Sequence, residues 1–99
     1  MSLFVVKHQH PAGSCPAQNR EMAPMLARQL SPANAQQHGL LIQAEAVVNN
    51  AHTLYLIVDA ADQESVTRFM QPFAQAGSVE VLAASSCEAV IARGGCALV

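Results

Sequence analysis

Four short stretches rich in β-branched and aromatic residues alternate with helical patterns in a chain of only 99 residues. That order leaves few ways to build a core. Leu3 to Gln9 reads as a strand, closed by Pro11 and followed by a loop, Ala12 to Pro16. Met22, Met25, Leu26 and Leu30 recur at helical spacing, with a start near Glu21 that leaves Pro24 in the first turn. Ser31-Pro32 pairs a cap with a first-turn proline and opens a short second helix ending near His38, before Gly39. Leu40 to Val48 and His52 to Asp59 are two strands joined by Asn49-Asn50-Ala51, close enough to form a hairpin.

Asp62 caps the next helix, whose inward residues are Val66, Phe69, Met70, Phe73 and Ala74. Pro72 falls inside it and predicts a kink; Gly77 ends it. Val79 to Ala84 is the fourth strand. Ser85 or Ser86 then caps a last short helix, with Cys87, Val90 and Ile91 on one side, which Gly94-Gly95 ends.

The resulting order, β-α-β-β-α-β plus a tail, is the ferredoxin-like pattern. It predicts one α+β domain over residues 1–99, with a four-stranded antiparallel sheet of order 4-1-3-2 and the helices on one face. Strand alternation places Phe4, Val6, His8, Leu54, Leu56, Val58, Val79, Val81 and Ala83 under the helices. Ile42, Ala44, Ala46 and Val48 are assigned to the same side. The opposite face then carries Leu3, Val5, Lys7, Leu41, Gln43, Glu45, Val47, Thr53, Tyr55, Ile57, Glu80 and Leu82, a mixture too apolar for a solvated surface. In its pattern of elements the chain resembles the dimeric α/β-barrel superfamily, in which two such protomers stack sheet on sheet. The resemblance implies a homodimer. It also implies a range of roles, from small monooxygenases and isomerases to haem-binding and stress-response proteins, some without known activity, and carries no motif that selects one.

Composition narrows the partners. About half the residues are apolar (52%), only 12% are charged, and the net charge is −2. This excludes a disordered chain and favours association. Lys7, Arg20, Arg28, Arg68 and Arg93 are scattered, so no basic stripe awaits nucleic acid. The Leu3–Val6 run is too short to span a membrane. A cytoplasmic location is expected, and with it three reduced cysteines, an odd number that closes no disulfide framework.

Chemistry-bearing residues fall into three groups. His8, His10 and Cys15 occur where the first strand gives way to a loop, and antiparallel pairing of strands one and three would bring His52 to them. Imidazoles with a thiolate suit zinc, nickel or copper. The plain alternative is a rim histidine at His8 and a loop histidine at His10. Cys87, in the first turn of a helix, and Cys96 beyond it form a second, weaker metal-ligand pair. The helix dipole favours a thiolate at Cys87, whereas a small buried apolar residue is the simpler role.

The third group is the polar set on the open face, Lys7, Gln43, Glu45, Tyr55 and Glu80. They would line a cavity between two sheets, with Lys7, Glu45, Tyr55 and Glu80 as the acid–base set of a small cofactor-independent enzyme whose pocket lies there or between sheet and helices, or form a salt-bridged interface with no cavity. The function that follows is a homodimeric small-ligand or metal-binding protein. An enzyme of monooxygenase or isomerase type, or a purely structural dimer, are the alternatives.

Overall fold

In a computed structural model describing residues 1–97, the strands are β1 (Ser2–Gln9), β2 (Leu41–Val48), β3 (Thr53–Ala60) and β4 (Ser78–Ala84). The helices are α1 (Met22–Gln29), α2 (Pro32–Gln37), α3 (Gln63–Phe69), α4 (Gln71–Ala74) and α5 (Cys87–Arg93). All strand pairs are antiparallel, and the sheet order β2-β3-β1-β4 is the expected one. No helix among the described residues is long and apolar enough to cross a membrane.

Local signals set the helix ends. The Ser31, Asp62 and Ser86 side chains accept from the backbone N–H of Asn34, Ser65 and Ala89, satisfying first-turn donors that the helices leave free. Gly94 ends α5 at φ +87, a left-handed position that glycine occupies without steric cost. Pro72 does more than kink its helix. The chain breaks at Met70 and restarts as α4, with the proline in the first turn where no amide is missed.

The core lies between the central strands and α2–α4. Phe4 and Val6 of β1 and Leu54, Leu56, Val58 and Ala60 of β3 pack against Ala35, Val66, Phe69, Met70 and Phe73, with Leu26 of α1 and Leu30, the residue that closes that helix, at its margin. Of the residues within α1, Leu26 alone is part of that margin. Met22 and Met25, expected inside by their spacing, are exposed and flank a groove between α1 and α4 lined by Pro72 and Phe73. Ala74, also expected inward, is exposed on the short α4, while α5 buries no residue at all.

A second correction concerns β2. Its register against β3 shifts between Ile42 and Ala44, a β-bulge that inserts Gln43, whose amide bonds the Asp59 carboxylate. An extra residue inverts the alternation beyond it. Glu45 and Val47 therefore stand opposite Leu56 and Leu54, on the helix side. Ala44, Ala46 and Val48 move to the open face, where Ala46 pairs with Tyr55. The expected assignment is right at Ile42 and reversed from Ala44 onward.

Candidate metal centre

The end of β1 carries the site. His8 shares the inward face with Phe4 and Val6 and is buried, with 1% of its surface exposed, deeper than the rim position its sequence context predicts. Such a ring needs partners for both nitrogens. Nδ1 of His8 lies 3.0 Å from the Ser78 carbonyl oxygen, which can only accept, so Nδ1 carries the proton. Nε2 is then a lone pair, 3.1 Å from Nδ1 of His10. The donor in that contact must be His10, which leaves Nε2 of His10 as a lone pair in turn. This atom is buried and has no hydrogen-bond partner among the described residues.

Burial holds both rings below the ordinary imidazole pKa. For His8 the bond to the Ser78 carbonyl opposes that effect. For His10 the neighbouring His8 and His52 add to it, since a proton on any one of the three repels the next. Both rings are therefore neutral at pH 7, the form a metal requires.

Two other elements close on the His10 ring. Cys15 sits between two single 3-10 turns, Ala12–Ser14 and Pro16–Gln18. The following proline keeps Cys15 extended (φ −63, ψ 112), and Pro16 is itself buried, which fixes the loop against the body. His52 ends the β2–β3 turn at φ +48, two residues after Asn50 at φ +62. Left-handed backbone at a residue other than glycine costs on the order of 1 kcal/mol or more and persists only where neighbours impose it. Here the His52 carbonyl accepts from the His10 amide at 3.2 Å, and the Thr53 hydroxyl donates to the Ala51 carbonyl at 2.9 Å.

The result is a cluster in which one donor atom each from His10, Cys15 and His52 lies within 4.8 Å of the others. A tetrahedral ion with bonds of about 2.0–2.3 Å sets its ligands about 3.5 Å apart, so closure asks for side-chain rotations of about 1 Å. The cluster lines a cavity of about 470 Å³.

Of the residues singled out from sequence, His10, Cys15 and His52 come together, and His8 stands behind them. With one ring nitrogen bonded to Ser78 and the other to His10, His8 orients a neighbour and offers no free donor atom. Cys87 and Cys96 are exposed. The strand ladder places β4's end beside Leu3, so Cys87 follows the opposite end of the sheet from His8. Lys7, Tyr55 and Glu80 line up in one row across the open face, whereas the bulge takes Glu45 out of that set and onto the rim of the His/Cys cavity.

Sequence reasoning missed three contributors: the Ser78 carbonyl, Pro16 and Gly77. A Cys-Pro step beside a histidine pair is a readable hint for Pro16. The other two act through backbone contacts with residues far along the chain. Comparison of the chain with known protein families, with curated proteins and with solved structures finds no match.

Proposed function

We propose that this protein binds one transition-metal ion through Nε2 of His10, the thiolate of Cys15 and an imidazole nitrogen of His52. The observation that supports the reading is the orphaned Nε2 of His10. A buried polar atom without a partner costs about 1–3 kcal/mol, and an ion at this position would remove that cost. The His8–Ser78 relay behind it is the arrangement that orients metal-bound imidazoles and raises their basicity. One thiolate and two imidazoles favour zinc or copper over hard cations, with nickel next.

Titration of the reduced protein with zinc against a chelator of known affinity tests this, and cobalt substitution reports the thiolate through its charge-transfer absorption. One equivalent is expected. Cys15→Ser and His52→Ala should each weaken binding by at least ~100-fold, since each removes one of only three protein ligands. Cys87→Ser and Cys96→Ser should leave the affinity unchanged. An ion at one hundred times its Kd would add about 2.7 kcal/mol to folding stability. A protein that takes up none of these ions would remove the reading.

A second reading rests on a separate observation. Leu41, Tyr55, Ile57 and Leu82 stand exposed on the open face, around Lys7 and its neighbours Tyr55 and Glu80. An apolar surface of this kind favours a partner, and a second copy stacked sheet to sheet is the occupant we infer. Sedimentation should then give a dimer, and Ile57→Glu, placing a charge on the central strand β3 in the middle of the contact, should give a monomer with the same metal affinity. A monomeric parent protein at micromolar concentration would exclude the pairing.

A further inference from the structure

Three protein donors leave a tetrahedral ion one position short, the arrangement that structural zinc sites avoid and ligand-accepting ones keep. The cavity above His10, Cys15 and His52 has about 470 Å³, within the range of small-molecule sites and many times the volume of one water. Leu26, Leu30, Val47, Leu54 and Phe73 supply its apolar lining, beside the polar Gln18, Asn49, Asn50 and Thr53. Most of the lining surface is apolar, and the three donors share the same cavity. Val47 belongs to that wall because of the bulge at Gln43, which turns it toward the helices.

Charge selects the head group. A divalent ion with one thiolate keeps a net charge of +1, and an uncompensated charge against apolar walls is costly. A single anionic donor would neutralise it. Resting on the metal reading above, we propose that the fourth position takes an external organic monoanion, a carboxylate-type head on an apolar body that fills the cavity. Glu45, at the rim, is the acidic side chain in the same cavity and the internal competitor for that position.

The cobalt-loaded protein provides the test, with straight-chain acids from butyrate to octanoate as probes and the d–d absorption as readout. Each methylene transferred from water to the cavity should tighten binding about fourfold, so the series should span on the order of a hundredfold. Val47→Glu should erase that dependence on chain length by adding a negative charge to the wall. Its side chain is exposed enough (64%) for the substitution to leave the fold intact.

Several results overturn the proposal, and they are distinguishable. Absorption unmoved by any acid in a protein that does hold cobalt removes the external ligand and keeps the metal site. Equal affinity for all chain lengths assigns the position to the head group alone and removes the apolar body. A changed cobalt spectrum in Glu45→Gln before any acid is added makes Glu45 the fourth ligand. Failure to bind cobalt at all removes both readings.

Discussion

Gly77→Ala is expected to destabilise the protein by about 3 kcal/mol, the upper range for forcing an extra carbon into packed structure. Gly77 joins α4 to β4, and its φ is not positive, so backbone conformation does not demand glycine there. Space does. A Cβ at this position would lie 2.1 Å from the Gln9 carbonyl oxygen, 2.9 Å from the Gln9 carbonyl carbon and 2.8 Å from the Cα of His10. These are main-chain atoms of the strand end that carries the site, and they can yield only if β1 and β4 separate.

For a chain this size, 3 kcal/mol should lower Tm by roughly 12–24 °C. Because the clash falls on His10, metal affinity should drop together with stability. Gly13→Ala is the control, since a Cβ there meets nothing within 4 Å and should change stability by less than about 0.5 kcal/mol. Denaturant midpoints for both variants, with zinc titrations, decide the matter. A Gly77→Ala protein as stable as the parent would show that the strand end adapts.

His8→Phe should have the next largest effect, and on two counts. Phenylalanine keeps a ring of similar size and can keep the edge contact with Phe73, whose centroid lies 5.3 Å from that of His8. It removes the partner of the Ser78 carbonyl and the acceptor of the His10 Nδ1–H. Two stranded polar groups at about 1–3 kcal/mol each put the expected loss near 3 kcal/mol. Freed from His8, the His10 ring no longer has one enforced tautomer, and metal affinity should fall about 10–100-fold, the usual cost of losing the group behind a ligand. Nitrogen chemical shifts of His10 would report the mechanism: protonated Nδ1 and bare Nε2 in the parent, a mixture in the variant. An unchanged tautomer would show that His8 fills space and does not orient its neighbour.

The same relay sets a pH dependence for the metal-free protein. Burial lowers the folded-state pKa of His8 and His10 from the ordinary 6.5, with His52 as the other titratable group beside His10. Below about pH 6.5 the unfolded chain therefore binds protons that the folded chain refuses. Stability is full above that pH and is lost as the pH falls toward the folded values. His8→Phe removes one of the two groups and should flatten the slope.

Much of the architecture is legible in the chain itself. Strand and helix periods, the caps at Ser31, Asp62 and Ser86, and the breaks at Pro72 and Gly94 are all local. Each depends on residues within one turn of the position concerned. Their order alone predicts the observed sheet. The candidate site is half legible: His8 and His10 at alternate positions point the same way, and antiparallel pairing brings His52 to them, as expected. Which of the histidines is free to bind is not legible, because it depends on a carbonyl 70 residues away at Ser78.

Met22 and Met25 show the limit of a periodic pattern, which marks an apolar stripe without showing how far the core extends beneath it. Gln43 shows another. Nothing in Leu41–Val48 announces a bulge, yet one inserted residue sends Glu45 and Val47 to the opposite face and gives the cavity its wall and rim.

The sequence by itself determined the elements and their order, since those follow from backbone sterics and side-chain periodicity between near neighbours. Tertiary structure alone decided the strand register beyond Gln43, the close passage of Gly77 over His10 and the tautomer of each buried imidazole. Those are settled by contacts between segments that meet only after the chain has folded.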